Sequence, residues 1–201
     1  MGGLGKLKGI PANNYYEVYL INRLLCTRCG YTAQFIKVSR MSIKPIDDTS
    51  WSGIAKIQAE AYSQVEPESV DVLKSKWLRS PECCFVYEKA GKVVGYLLAH
   101  SWDSEAPPKL FQTLPAGTEG SLIFLHDLAI SKEASGEGVG RKMVVHLLQK
   151  VKELGFQQVR LVSVQDSLKF WQKQGFSLIE HQEVCSSYGE GAQLMSQRII
   201  A

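Results

Sequence analysis

Leu122-Ile123-Phe124-Leu125-His126-Asp127-Leu128-Ala129-Ile130 and, just after it, Ser135-Gly136-Glu137-Gly138-Val139-Gly140-Arg141 are the stretches on which the fold turns. The first reads as a buried strand, the second as a glycine-rich turn into a helix. Val139, Met143, Val144, Leu147, Leu148, Val151 and Leu154 recur at three- and four-residue spacing, which predicts one long amphipathic helix, and Gly155 supplies its stop. Strand, glycine turn and helix in this order aim the free N–H groups of the first helical turn at one spot beyond the helix end, where a phosphate binds. Gly138 and Gly140 lack Cβ, so the backbone can approach a pyrophosphate closely. The helix dipole contributes ~0.3 to 1 kcal/mol there and each charge-assisted hydrogen bond ~1.5 to 3 kcal/mol. Arg141 adds charge at the rim.

Two other phosphate-binding designs do not fit. A P-loop needs Gly-Lys followed by Ser or Thr, whereas Gly140 is followed by Arg141-Lys142. A dinucleotide fingerprint needs G-x-G-x-x-G with further strand–helix–strand units, and this turn falls late, with little chain left for them.

Met41 to Ile46 alternates like a first strand, and residues 1–40 lack sustained periodicity, so the boundary of the domain is set at Met41: residues 1–40 an extension, residues 41–201 the domain. Two amphipathic helices follow, Trp51 to Tyr62 after the cap candidate Ser50, and Glu68 to Leu78 with Pro67 at its start. Cys83 to Glu88 and Val93 to Leu98 form a hairpin whose turn uses Gly91. A long loop, Ser101 to Gly120, carries Pro107, Pro108 and Pro115, and loops of that length in a compact domain are commonly binding loops. Beyond the long helix come a strand at Val159 to Val164, a short helix at Ser167 to Gln174 ended by Gly175, and two strands flanking Tyr188-Gly189. The predicted order is βααβββαβαββ.

Composition narrows the class. With 201 residues, 45% apolar, the chain is long enough for one domain with a real core. A net charge of +3 without a run of like charges offers no arm for nucleic acid. No segment approaches the ~18 to 20 apolar residues of a membrane span. Cys26, Cys29, Cys83, Cys84 and Cys185 are odd in number, with one adjacent pair, which suits a reducing cytoplasm better than a disulfide framework. Cys26-Thr27-Arg28-Cys29 lacks the second pair that would complete a zinc site, so no metal is expected.

Ser135 to Gly140 resembles the Q/R-x-x-G-x-G/A motif of the GNAT superfamily of acetyltransferases, with Ser135 in place of the usual Gln or Arg. Leu125 to Ile130 is similar to that superfamily's fourth strand, and Phe170-Trp171-Gln172-Lys173-Gln174-Gly175-Phe176 to its F-Y-x-x-x-G-F segment. His126-Asp127-Leu128-Ala129, the Phe170-Trp171 pair and Tyr188 to Ala192 look like a bacterial-type branch. The resemblance covers Met41 to Ala201 in element order and is detailed only between Leu122 and Phe176. It implies an α/β fold with a mixed, mostly antiparallel central sheet flanked by helices and splayed between the fourth and fifth strands. Acetyl-CoA would lie in the splay, its pantetheine arm bonded to the backbone of Leu128, Ala129 and Ile130. Ser135, Gly136, Glu137, Gly138, Val139, Gly140 and Arg141 would hold the pyrophosphate, with Ser167, Phe170 and Trp171 alongside. Within that turn, Glu137 is expected to be solvated.

The activity implied is transfer of the acetyl group to an amine, on a small molecule or a peptide, by direct attack in a ternary complex, in a monomer or homodimer. An ammonium of pKa ~10.4 lies ~3.4 units above neutral pH, so deprotonation costs roughly 4.6 kcal/mol and a base is useful. His126 and Asp127 are the candidates. Side chains alternate along a strand, so only one of them is expected to face the acceptor groove. His126 is favoured, because an imidazole is in general a stronger base than a carboxylate and can work through water. Trp171 stands where many relatives place an acidic tyrosine, and an indole cannot do that work. Tyr188 is the substitute candidate. Tyr62, Glu66, Trp102 and Asp103 are expected to wall the acceptor site. The alternative is a non-catalytic acyl-CoA sensor or interaction domain, consistent with the missing Tyr and Gln/Arg.

Overall fold

The computed structural model describes residues 41–62, 66–117, 120–182 and 184–200. Residues 1–40, with the expected extension and the Cys26/Cys29 pair, lie outside the described residues. The elements are β1 (Met41–Pro45), α1 (Trp51–Ala61), α2 (Val70–Arg79), β2 (Phe85–Lys89), β3 (Lys92–Trp102), β4 (Leu122–Ile130), α3 (Val139–Glu153), β5 (Gln158–Ser163), α4 (Leu168–Lys173), β6 (Ser177–Leu178) and β7 (Gln193–Arg198). They form one sheet in the order β1-β2-β3-β4-β5-β7-β6. Every pairing is antiparallel except β4 with β5, which α3 connects as a crossover. This is the fold class and the element order that the sequence predicts.

Two faces carry the core. Val139, Met143, Val144, Leu147 and Val151 of α3 bury themselves against Leu97, Ala99, Ile123, Leu125 and Leu161 on one face. Trp51, Ile54 and Ile57 of α1 and Leu73 of α2 cover Val86, Tyr96, Leu98 and Ala129 on the other. Full burial of such a side chain contributes about 1.5 to 3 kcal/mol. α3 ends as expected: Gly155 takes φ +81°, its N–H bonds Lys152 and the next N–H, of Phe156, reaches back to Val151.

Some boundaries differ from the sequence reading. α2 starts two residues late because Ser69, whose Oγ accepts the Val72 N–H at 3.3 Å, caps it rather than Pro67. β2 starts at Phe85, since Pro81–Cys83 forms a 3-10 turn. β3 runs on to Trp102 because Ser101 and Trp102 pair with Ile123 and Leu122, which shortens the loop to residues 103–121.

The sheet forks. β4 pairs with β5 only over Ile123–Leu125 and Val159–Leu161; beyond that β4 stays with β3 as far as Ile130, while β5 stays with β7. At the fork, Leu98 faces Asp127 and Ala99 faces Leu125, so His126 is an extra residue bulged out of the β3–β4 ladder. A bulge adds local twist and re-aims side chains, which suits it to the point where two strands part.

Candidate active site

The fork opens into a cleft of about 560 Å³ that runs from the glycine turn before α3, past the open edge of β4, to the end of α1, the Glu66–Glu68 segment before α2 and the loop at Phe111. At the first end, Gly136 and Gly138 take φ +79° and +73°, a left-handed conformation that suits glycine, and a Cβ at either would meet nothing within 4 Å. The earliest intrahelical bond of α3 runs from Lys142 N–H to Gly138 C=O, so the N–H groups of Val139, Gly140 and Arg141 point out of the helix end. A Cβ at Gly140 would come within 3.4 Å of the Phe170 ring, which keeps this turn close to α4.

Along the middle, His126 counts as half-buried although its side chain is only 1% exposed, so its backbone is what faces the opening. Leu128 and Ile130 share the half-buried pattern and line the cleft. Trp171 closes the far wall, its Nε1–H donating to Ser167 Oγ at 3.1 Å. Its ring meets Phe176 edge-on at 5.6 Å. Gly175 at φ +93°, with Phe176 N–H bonded to Trp171 C=O, makes the same helix stop as at Gly155. The Phe170 to Phe176 segment is therefore a helix end that clamps two aromatics together.

The deep end holds the titratable groups. The bulge overturns the expectation that His126 and Asp127 point to opposite faces: both line the cleft on the α1/α2 side. His126 Nε2 lies 2.7 Å from Glu68 Oε2, and its Nδ1 is buried without a protein partner. The other Glu68 oxygen accepts the Phe111 N–H at 2.7 Å. Burial alone would raise the Glu68 carboxyl, but the hydrogen bond and charge of His126, the Phe111 N–H and nearby Lys76 outweigh it and hold it below its ordinary value. Asp127 accepts from Tyr62 Oη at 2.6 Å and from Tyr96 Oη at 2.5 Å. Burial pushes its carboxyl up, and the two hydroxyls offset that only in part. Tyr188 Oη donates to the Pro108 carbonyl at 2.5 Å, and burial, then Glu68, raises the phenol. Behind the site, His100 is buried 5.9 Å from the His126 ring and is pushed down to about 3 by desolvation, then by His126.

Several expected residues fall elsewhere. Ala129, expected to offer its backbone, turns its methyl into the core under α1 and does not line the cleft. Glu137, expected to be solvated, pairs instead with Lys89 at 2.5 Å. Tyr62 and Glu66 line the cleft, but Trp102 does not: its Nε1–H donates to Ala106 C=O and its ring packs with Leu122, Phe124 and Leu194. Asp103 is exposed and outside the cleft. Sequence reading missed Glu68, taken only as a helix start, and Tyr96, taken only as a strand residue. The contacts that give them meaning are non-local, Glu68 lying 58 residues from its partner His126.

A forked sheet beside a glycine-built helix start, with acid–base side chains below the fork, defines the fold of acyl-CoA-dependent acyl transfer. The chain belongs to the acetyltransferase (GNAT) family, whose profile matches residues 51–176. Members of this family are generally N-acetyltransferases. No curated protein matches the chain. Solved structures share the fold at low identity. The loading GNATL domain of CurA from Lyngbya majuscula superposes with a TM-score of 0.67 at 13% identity, over 79% of this chain and 98% of that one. The ribosomal-protein-S18-alanine N-acetyltransferase from Escherichia coli gives 0.59 at 15%, over 80% and 95%. N-acetylglutamate synthase from Neisseria gonorrhoeae, solved with coenzyme A and N-acetyl-glutamate, gives 0.62 at 16%, over 80% of this chain and 35% of that one. Among the described residues no helix is long and apolar enough to cross a membrane.

Proposed function

We propose that this protein is a cytoplasmic N-acetyltransferase that moves the acetyl group of acetyl-CoA onto an amine, on a small molecule or a peptide, by direct attack in a ternary complex. The observation that carries this reading is the continuity of the cleft from the glycine turn to His126 and Asp127. Both acceptor classes have precedent in the fold, a protein alanine in one neighbour and glutamate in another.

The residues fit the cosubstrate. The open space over Gly136 and Gly138 leaves room for a pyrophosphate against the first-turn N–H groups of α3. Ser135 and Arg141 flank that turn, and Ser167, Phe170 and Trp171 wall it from α4. The backbone of Leu128, Ala129 and Ile130, unpaired by β5, offers hydrogen bonds to an amide-bearing arm.

The acceptor enters as an ammonium and must shed a proton, at roughly 4.6 kcal/mol if unaided at pH 7. His126, whose side chain is almost wholly buried, takes that proton through a water and passes it to solvent. The neutral amine then forms its N–C bond as the C–S bond breaks, and its second surplus proton goes to the thiolate. Asp127 is no base in this scheme, because each of its oxygens already takes a tyrosine hydroxyl; it positions Tyr62. Tyr188 lines the cleft and is the candidate acid, although burial raises its phenol and leaves it little to contribute.

Thiol release from acetyl-CoA against a panel of amines and peptides, with calorimetric binding of CoA, tests the proposal. We expect release with at least one amine and a turnover ~10² to 10⁴-fold lower in His126→Ala at unchanged CoA affinity. CoA binding without release across the panel would instead establish a non-catalytic sensor.

A further inference from the structure

We propose that Glu68 is the positioning residue of the site: it holds the proton of His126 on Nε2 and so leaves Nδ1 as the basic nitrogen. This rests on the reading of His126 as the base.

Glu68 lies before α2, outside the strand that carries His126, and the side chains of both are almost wholly buried, 7% and 1% exposed. A carboxylate that is ionised accepts only, so the 2.7 Å contact must be donated by Nε2–H. The alternative tautomer would set two lone pairs against each other in a dry site, at a cost comparable to an unmade buried hydrogen bond. With Nε2 protonated and the ring neutral, Nδ1 carries the lone pair, and it is the nitrogen that no described residue engages. When the ring takes a proton, Glu68 is already in place to stabilise the imidazolium.

Glu68 is itself fixed. Its second oxygen is held by the N–H of Phe111, a residue at φ +62° on the 103–121 loop. That loop is tied to α2 by Lys76 Nζ on the Gln112 carbonyl and by Leu114 N–H on Ser75 Oγ at 3.2 Å. The carboxylate therefore has one orientation, set by α2 and the loop together. The other groups facing the pair are Asp127 on β4, His100 and Tyr96 on β3, Tyr62 at the end of α1, Lys76 on α2 and Tyr188 across the cleft. None of them contacts Nε2.

The experiment has a part that needs no activity. Long-range proton–nitrogen spectra of the full chain, with His126 assigned through His126→Gln, should show Nε2 protonated and Nδ1 bare at neutral pH. In Glu68→Gln, whose amide can either accept or donate, the tautomers should mix. A resting Nδ1-protonated ring, or a tautomer ratio unmoved by Glu68→Gln, overturns the proposal. In kinetics, Glu68→Gln should lower kcat about 10- to 100-fold without changing the KM for acetyl-CoA. A structural role alone would lower the melting temperature and leave the tautomer ratio in place. Combined with His126→Ala, Glu68→Gln should add nothing to the loss, and full additivity overturns the proposal. If His126→Ala turns over as fast as the parent, the base reading fails, while the tautomer measurement still decides the role of Glu68.

Discussion

The hydroxyl of Tyr62, at the C-terminal cap of α1, lies 2.6 Å from Asp127 on β4 and shares that carboxylate with Tyr96 of β3. One buried acid thus ties the helix layer to two central strands. Tyr62→Phe removes one donor and leaves a carboxylate oxygen buried and unsatisfied, which costs about 1 to 3 kcal/mol. Urea unfolding should register that loss, and Tyr96→Phe should give a similar one. The double variant should depart from additivity, because the second loss acts on a carboxyl whose protonation has already shifted. Strict additivity would show that the three groups do not act as one network.

Gly138→Val should abolish CoA binding in a protein that still folds. Its φ of +73° strains any β-branched residue, and the open space above it is where a pyrophosphate would approach. Calorimetry and an unfolding curve on the same sample separate the two effects. A folded variant that binds like the parent would move the phosphate site elsewhere.

Stability should fall as pH drops below neutrality, in part through His100. Its folded pKa is depressed to about 3, chiefly by burial, against about 6.5 for an exposed imidazole. Between those values the unfolded chain binds the extra proton, so stability is fully present above pH ~6.5 and is lost as pH falls toward 3. The slope approaches about 1.4 kcal/mol per pH unit for one proton. Urea unfolding at pH 7, 6 and 5 should show His100→Gln with a shallower slope than the parent. Equal slopes would mean that His100 takes up a proton while folded.

The parts of the fold that local chemistry dictates were legible in advance. α3 could be placed from its apolar stripe and Gly155, and β4 from an unbroken apolar run, because each signal lies within the element itself. The strand that outran its predicted end is the opposite case. Ser101 and Trp102 look like loop residues, and only pairing with Ile123 and Leu122 makes them β3. The same holds in the site. His126 and Asp127 were visible as candidates, but strict alternation put them on opposite faces, and the bulge that unites them comes from the register with β3. Glu68 carries no local mark at all; its meaning lies in a contact across two layers.

We also propose that residues 41–201 fold without residues 1–40. β1 begins at Met41 as an edge strand paired along its length with β2, and the forked sheet with both of its cores is built from Met41 onward. The truncated chain should unfold cooperatively and bind CoA like the full one. Loss of the cooperative transition would make the first forty residues part of the domain, and stoichiometric zinc in the full chain would give Cys26 and Cys29 a role.

Tyr188 poses the sharpest question about the proton that the leaving thiolate needs. Its hydroxyl is committed to the Pro108 carbonyl, and burial lifts its pKa above that of a free phenol, so giving up a proton is harder for it than for tyrosine in water. The thiolate asks for little, since a thiol of pKa ~8.5 leaves only ~1.5 units, about 2 kcal/mol, for any acid to recover at pH 7. Tyr188→Phe should therefore lower kcat by no more than about 30-fold and leave CoA affinity unchanged. Trp171→Phe, which keeps the packing on Phe176 and removes only an indole N–H, should cost little in turnover, whereas Trp171→Ala should weaken CoA binding or stability through the lost ring. If Tyr188→Phe turns over like the parent but melts earlier, the hydroxyl serves to latch the 103–121 loop through Pro108. The thiolate then takes its proton from solvent or from the attacking amine itself, and catalysis rests on His126 and on positioning.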